Sequence, residues 1–162
     1  MDIRVATDDD WPGLWPIIEE VVRAGHTYCW PMDATEDACR SWWMGKPGGT
    51  VYVAVDEDGS IAGTAELHPN QPAAGSHVAN AGFMVASQAS GRGLGRMLGR
   101  HVIEEATAQG FTAMQFNAVV ATNAHAIRLW QSLGFNILAT IPGAFEHPEH
   151  GLVGLNLMYR SL

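Results

Sequence analysis

No run in this 162-residue chain is apolar enough to cross a membrane. The N-terminal stretch carries Asp8-Asp9-Asp10 where a secretory leader would be basic and then apolar, so no such leader is expected. Cysteine is scarce. Cys29 and Cys39 form neither a C-x-x-C pair nor a disulfide framework, and reduced thiols in a cytoplasmic protein are the simple expectation. Basic residues number 9 against 17 acidic ones, and the net charge of −8 speaks against a general nucleic-acid binder. Two well-known nucleotide loops are missing: no Gly-Lys is followed by Ser or Thr, and the glycines at 91, 93, 95 and 99 do not fit G-x-G-x-x-G. There is no repeat, low-complexity tract or linker. A hydrophobic share of 47% excludes disorder, and the length suits one domain, taken as 1–162.

Alternating and helical periodicities then place the elements. Asp2 to Ala6 reads as a strand. Thr7 or Asp8 opens a helix with Trp11, Leu14, Trp15, Ile18, Val21 and Val22 on one side, a kink expected at Pro16 and a stop at Gly25. Thr35 opens a second helix through Met44. Thr50–Val55 and Ile61–Leu67 form a hairpin around Asp56-Glu57-Asp58-Gly59. His77–Ala86 is a strand in which Gly82 suggests a bulge or a close backbone approach. A helix ends at Gly110, a strand follows over Thr112–Val120, and Asn123 caps a last helix that stops at Gly134. Asn136–Ile141 and Leu152–Arg160 close the chain as a strand pair, with 142–151 read as a loop.

The stretch that organises this pattern is Ser90-Gly91-Arg92-Gly93-Leu94-Gly95-Arg96. It stands between a strand and a helix. The first turn of a helix offers unpaired N–H groups and a partial positive charge, and glycines let a phosphate approach them. Arg92 and Arg96 add charge. The stretch reads as a cradle for a phosphate or diphosphate; the other reading is a packing turn.

Paired with a second block, Asn123-Ala-His-Ala-Ile-Arg-Leu-Trp-Gln-Ser-Leu-Gly-Phe135, this stretch resembles the GNAT family of acetyl-CoA-dependent N-acetyltransferases. The likeness covers nearly the whole chain. It implies one α/β domain: a mixed, mostly antiparallel sheet of about seven strands with about four helices, splayed between the fourth and fifth strands. It implies acetyl-CoA as cosubstrate and no metal. The diphosphate would lie on the N–H groups of Gly91, Arg92, Gly93, Leu94, Gly95 and Arg96, with Ser90 standing where the family has Gln or Arg. The pantetheine arm would add like a strand beside Phe83, Met84 and Val85, and an N–H at Phe83 would polarise the thioester carbonyl. Many members carry a tyrosine where Trp130 stands, so the usual proton donor to the thiolate is missing. Asn123 is a candidate to stabilise the sulfur, besides capping its helix. For a base the candidates are Glu66 and His77, each of which also reads as a solvated or structural residue, and a water relay is equally open.

The strings H-V-A-N-A-G-F-M-V, M-Q-F-N-x-V-V-x-T-N and P-G-A-F-x-H-P resemble a subgroup that includes fungal acetyltransferases of proline analogues such as azetidine-2-carboxylate. That likeness implies that Asn80, with the N–H groups of Asn117 and Ala118, binds the carboxylate and amine of a small amino acid. Tyr28, in the connection between the first helices, is read as closing on the substrate or as packing. Phe145, His147 and His150 are assigned to a late loop acting as a lid. The two histidines, lacking a third ligand nearby, are not read as a metal site. The stripes Trp11/Trp15 and Trp42/Trp43 read as core or as a contact between two copies in a homodimer. The function expected is acetyl transfer to a small, amino-acid-like amine, with no nucleic-acid or membrane partner. The alternatives are a peptide or protein N-terminal acetyltransferase and a non-catalytic CoA-binding sensor.

Overall fold

The computed structural model describes residues 1–162. In chain order the elements are β1 (Asp2–Val5), α1 (Trp11–Ala24), α2 (Glu36–Met44), β2 (Thr50–Val55), β3 (Ile61–Pro69), β4 (Val78–Val85), α3 (Leu94–Ala108), β5 (Ala113–Val120), α4 (Ala124–Ser132), β6 (Asn136–His147) and β7 (Gly151–Ser161). The seven strands form one sheet in the order β1-β2-β3-β4-β5-β7-β6. All neighbours are antiparallel except β4 and β5.

Local chemistry sets the helix ends. The Asp10 carboxylate accepts from the Thr7 N–H at 2.8 Å, which closes a single 3-10 turn ahead of α1. Thr35 Oγ1 accepts from the Ala38 N–H and starts α2. Gly25 and Gly134 end α1 and α4 in the left-handed conformation. Pro12 takes an opening position of α1, and Pro16 lies inside the helix, where it forfeits one backbone bond while the helix continues to Ala24. No helix is long and apolar enough to cross a membrane.

Helices cover both faces of the sheet. Alternate side chains of β3 show this: a Cβ at Gly63 would touch Leu94 and Leu98 of α3, whereas Thr64 Oγ1 accepts from the indole of Trp43 in α2 at 3.1 Å. Trp43, Leu14, Ile18, Leu98 and Met114 are fully buried in the core between these layers. Of the tryptophan stripes, Trp11 and Trp43 belong to this core, and Trp42 reaches the surface.

Two expectations are corrected. The segment 142–151 is not a lid loop: β6 continues through Phe145 to His147 and β7 begins at Gly151, with an irregularity between Ile141 and Phe145 that absorbs Pro142 and Gly143. Phe145 and His147 are buried strand residues. Gly82 also makes no bulge, since β4 pairs with β3 in unbroken register from Gly63↔Val85 to Pro69↔Ala79. The bulge lies on the facing strand. Two residues of β5, Asn117 and Ala118, oppose one residue of β7 between Phe116↔Met158 and Val119↔Asn156.

The parallel pair sets up the site. β4 and β5 are bonded only at Val78↔Ala113 and Ala79↔Met114. Beyond that point they diverge, and a cleft opens toward their carboxyl ends.

Candidate active site

A cavity of about 830 Å³ fills the gap between the diverging strands. Its walls bring together Tyr28, Glu66, Asn80, Phe83, Gly93, Asn117, Ala118, Asn123 and Trp130, which lie far apart in the chain. At one end is the glycine turn. Gly91 and Gly93 hold φ of +78° and +76°, and a Cβ on either would touch nothing. Backbone conformation, not crowding, demands glycine there. The amides of Gly91, Arg92, Gly93, Leu94 and Gly95 donate to no protein acceptor, leaving a row of donors at the start of α3.

Two arginine assignments change. The Arg96 N–H already donates to the Gly93 carbonyl at 3.1 Å, so its amide is not one of the free donors, although the residue lines the cavity. The Arg92 guanidinium is held by both oxygens of Asp56 at 2.8 Å and is not on the cavity wall. Arg128 of α4 is on that wall, and the sequence reading gave it no role.

Along β4 the backbone alternates. The Ala86 N–H bonds to the Ala62 carbonyl, so Met84 and Gly82 turn their amides to β3 while Phe83 and Val85 turn theirs to the gap. Met84 is thereby removed from the set of backbone partners expected for the arm. Phe83 is not free either. Its N–H donates to the Tyr28 hydroxyl at 3.0 Å, and that hydroxyl donates back to the Phe83 carbonyl at 3.1 Å. Burial, reinforced by the nearby Glu66 carboxylate, holds the Tyr28 phenol well above its usual range, so it stays protonated.

Asn123 does what a capping asparagine does. Its Oδ1 accepts from the Ala126 N–H at 3.1 Å, and its amide nitrogen remains available on the cavity wall. Trp130 is 7% exposed and packs on Phe83 and Phe116 at ring separations of 4.7 and 4.9 Å. It makes an apolar floor beside the expected sulfur position.

The other end of the cavity is charged. Glu66 of β3 is 3% exposed, its Oε1 taken by Lys46 Nζ and its Oε2 by His68 Nδ1, both at 2.6 Å. Glu66 is thus neither solvated nor remote. It stands opposite Gly82 in the register, and a Cβ there would lie 2.9 Å from Glu66 Oε1 and 3.0 Å from the Tyr28 hydroxyl. This close approach is the reason for the mid-strand glycine. Lys46, the only lysine in the chain, was missed by sequence reasoning because it sits in a Gly/Pro turn. Asn80 is half-buried, with its Oδ1 on the Ala81 N–H. The Asn117 side chain is engaged by Asn70 and Gln115, so its backbone rather than its amide group is left for the cavity. His77 is exposed, is not on the cavity wall and drops out as a base.

The β6–β7 hairpin tip reaches across to the loop that carries Tyr28. The His147 ring stacks on His26 at 4.9 Å and 9°, and on His150 at 4.5 Å. Glu149 joins His147 and His150 within 4.8 Å, which supplies the third group the sequence reading did not find. The imidazoles face one another ring to ring, and His147 Nδ1 already accepts from the Glu149 N–H, so stacking and one hydrogen bond hold the cluster together.

Comparison with known proteins agrees with this geometry. The model of the acetyltransferase (GNAT) family matches residues 15–135. A GCN5-related N-acetyltransferase from Kribbella flavida is 50% identical with a TM-score of 0.95, covering 99% of this chain and 97% of that one. The yncA protein of Salmonella typhimurium, described as a putative acetyltransferase and solved with acetyl-CoA, is 26% identical with a TM-score of 0.87, covering all of this chain and 94% of that one. Among curated proteins, N-acetyltransferase aca1 of Schizosaccharomyces pombe is 36% identical over 98 residues, 60% of this chain; the match spans 47% of that protein, about half its length. An L-methionine sulfoximine/L-methionine sulfone acetyltransferase of Pseudomonas aeruginosa is 31% identical over 86% of this chain and 83% of its own length.

Proposed function

Because this chain belongs to the acetyltransferase (GNAT) family and is an acetyl-CoA-dependent acyltransferase, we propose that it acetylates the amine of a small α-amino acid or close analogue by direct attack within a ternary complex. The observation that carries this reading is the charged acceptor end of the cavity. It has one buried carboxylate, Glu66, one lysine, Lys46, the Asn80 amide, and the bulge at Asn117 and Ala118. A zwitterion adds no net charge to such a wall. Its ammonium meets Glu66, which then takes the proton that must leave before nitrogen can attack. Its carboxylate meets Lys46, Asn80 and the bulged backbone. The Pseudomonas relative, whose name specifies methionine derivatives, supports the same class of acceptor.

The cosubstrate lies with its diphosphate on the amides of Gly91 to Gly95 and its arm beside Phe83 and Val85. Arg96 and Arg128 supply the counter-charge, and the Asn123 amide nitrogen donates to the departing sulfur. Positioning of the two reactants supplies much of the rate, because a bimolecular encounter becomes an intramolecular one.

The test is CoA release from acetyl-CoA across a panel of amino acids, their decarboxylated amines, polyamines and basic peptides. Amino acids are expected to be the best acceptors, and removal of the carboxylate to lower kcat/KM by about 10²-fold, since it strips the acceptor of charged contacts. Preference for peptides or polyamines contradicts the acceptor class. Tight acetyl-CoA binding without release on any acceptor supports a sensor instead.

A further inference from the structure

We infer that Tyr28 is a donor in the oxyanion hole: its hydroxyl holds the place of the thioester oxygen on the Phe83 amide, yields that place to acetyl-CoA, and then donates its own hydrogen to the oxygen that becomes negative. The inference rests on the reading of the cleft as the acetyl-CoA site and adds a residue to it.

The argument begins with an unpaired strand edge. Where β4 leaves β5, the Phe83 N–H and C=O face the gap and have no strand to bond. A hydroxyl both accepts and donates, and the Tyr28 oxygen satisfies both groups, at 3.0 and 3.1 Å. An oxygen accepting from a fixed backbone N–H at that distance marks the spot an oxyanion occupies in acyl transfer. Tyr28 therefore sits where the thioester oxygen is expected, and both cannot hold the same N–H in the same way.

The ring is aimed there by its surroundings. It packs against Trp30 at 5.3 Å and edge-on to Trp43 at 6.1 Å. Gly82 opens the way across the strand, since a Cβ there would stand 3.0 Å from the hydroxyl. The hydroxyl's partner after displacement follows from chemistry. Its one hydrogen is held by the Phe83 carbonyl until acetyl-CoA displaces it from the strand edge; once moved off, the hydroxyl turns that hydrogen to the thioester oxygen, the acceptor that has taken its place. Burial and Glu66 keep the phenol protonated, so it approaches the oxyanion as a neutral donor and not as a second negative charge. The position on α4 that would hold a tyrosine carries Trp130, packed among Phe83, Phe116 and Phe135.

The step balances without an added reagent. The acceptor nitrogen forms a bond to the carbonyl carbon, and the C=O π pair moves onto oxygen, where the Phe83 N–H and the Tyr28 O–H bond to it. Tyr28 keeps its proton throughout. On collapse the C–S bond breaks and its pair leaves on sulfur. The proton lost from nitrogen passes by way of Glu66 or water to the thiolate, giving the amide and free CoA.

Tyr28→Phe keeps the ring contacts and removes the hydroxyl. Kinetics with the best acceptor are expected to show kcat lowered by about 10²-fold, the size of losing one oxyanion donor. The KM for acetyl-CoA should be unchanged or lower, because the competing hydroxyl is gone. A fall in kcat of less than tenfold, or a loss carried by a raised KM for acetyl-CoA, overturns the assignment. Should the variant not fold, the wild-type chain gives a second answer. The Phe83 amide resonance is expected to move further, and to a different position, on adding acetyl-CoA than on adding CoA, which brings the same arm to the gap but has no acetyl oxygen. Identical responses to the two ligands overturn the assignment as well. A wild-type chain that shows this shift yet acetylates nothing counts against the proposed function and leaves the Tyr28 placement standing.

Discussion

Asn123 caps α4 and, in the proposed reaction, also serves the departing sulfur, and a substitution separates the two roles. Its oxygen caps α4 through the Ala126 N–H, and its nitrogen is left for the cavity. Asn123→Asp keeps an oxygen for the cap and places a negative charge at a helix start, so stability is expected to hold within about 0.5 kcal/mol. The same change removes the donor beside the sulfur, and kcat should fall at least about tenfold with little change in acetyl-CoA affinity. Thermal unfolding and steady-state kinetics on one preparation check both halves. Asp10 offers a test by pH. Its hydrogen bond with Arg4 holds the carboxyl at about 2. The folded value lies below the unfolded one, so the stabilisation is complete above the unfolded pKa of about 3.9 and is lost as pH falls through about 2. Arg4 is largely exposed, and solvent screening brings the effect to about 1 kcal/mol. The gap in melting temperature between wild type and Asp10→Asn is expected to close between pH 5 and pH 2. At this scale the sequence was least legible. The Tyr28–Phe83 bond spans 55 positions and the Lys46–Glu66 pair 20, and no local pattern announces partners that only the folded sheet brings together.

Elements were far more legible, because each is written in local chemistry. The cap at Asn123, the glycine stop at Gly134 and the hairpin around Gly59 all lie where turn and capping residues put them. The exceptions have a physical cause. Pro142 and Gly143 read as a loop, yet β6 carries them as an irregularity on an edge strand, where a missing N–H costs nothing to a neighbour. Gly82 reads as a bulge or a close approach, and the structure has the second: the register is unbroken and the glycine admits Glu66 and Tyr28 across the strand. The glycine turn yields a prediction at this scale. Gly93→Val forces a branched side chain into a positive φ at the row of free amides, and the KM for acetyl-CoA is expected to rise at least about tenfold. An unchanged KM removes the cradle assignment. Packing between helices gives another. A Cβ at Gly99 would stand 2.7 Å from the tip of the Leu133 side chain and 3.1 Å from the Trp130 ring, so Gly99→Ala must displace these side chains where α3 packs on the end of α4 and is expected to cost about 1–3 kcal/mol in unfolding.

The whole molecule is a sheet pried open on one side and tied across the opening. Two register pairs hold β4 to β5, and the gap beyond them is lined by every wall the chemistry uses. The tie is the stack of His26, from the loop after α1, on His147, whose ring in turn stacks on His150 at the β6–β7 tip. Burial first, then the neighbouring His150 and His26, push the His147 imidazole below its ordinary value against a smaller pull from Glu149. A depressed folded value means that the contribution is complete above the unfolded pKa of about 6.5 and is lost as pH falls through the folded one. The protection of the amides at 145–152, taken relative to their intrinsic exchange rates, is therefore expected to fall between pH 7 and pH 5 while that of β2 and β3 does not. The splay itself was legible only through the resemblance, since no periodicity says that two neighbouring strands part company.

A crystal structure with acetyl-CoA and an amino-acid acceptor tests the central claim most directly. The account expects the diphosphate on the amides of Gly91 to Gly95, the thioester oxygen on the Phe83 N–H with the Tyr28 hydroxyl moved off it, and the acceptor nitrogen between Glu66 and the carbonyl carbon. A cosubstrate bound outside the gap between β4 and β5, or an acceptor whose amine lies away from Glu66, would contradict it.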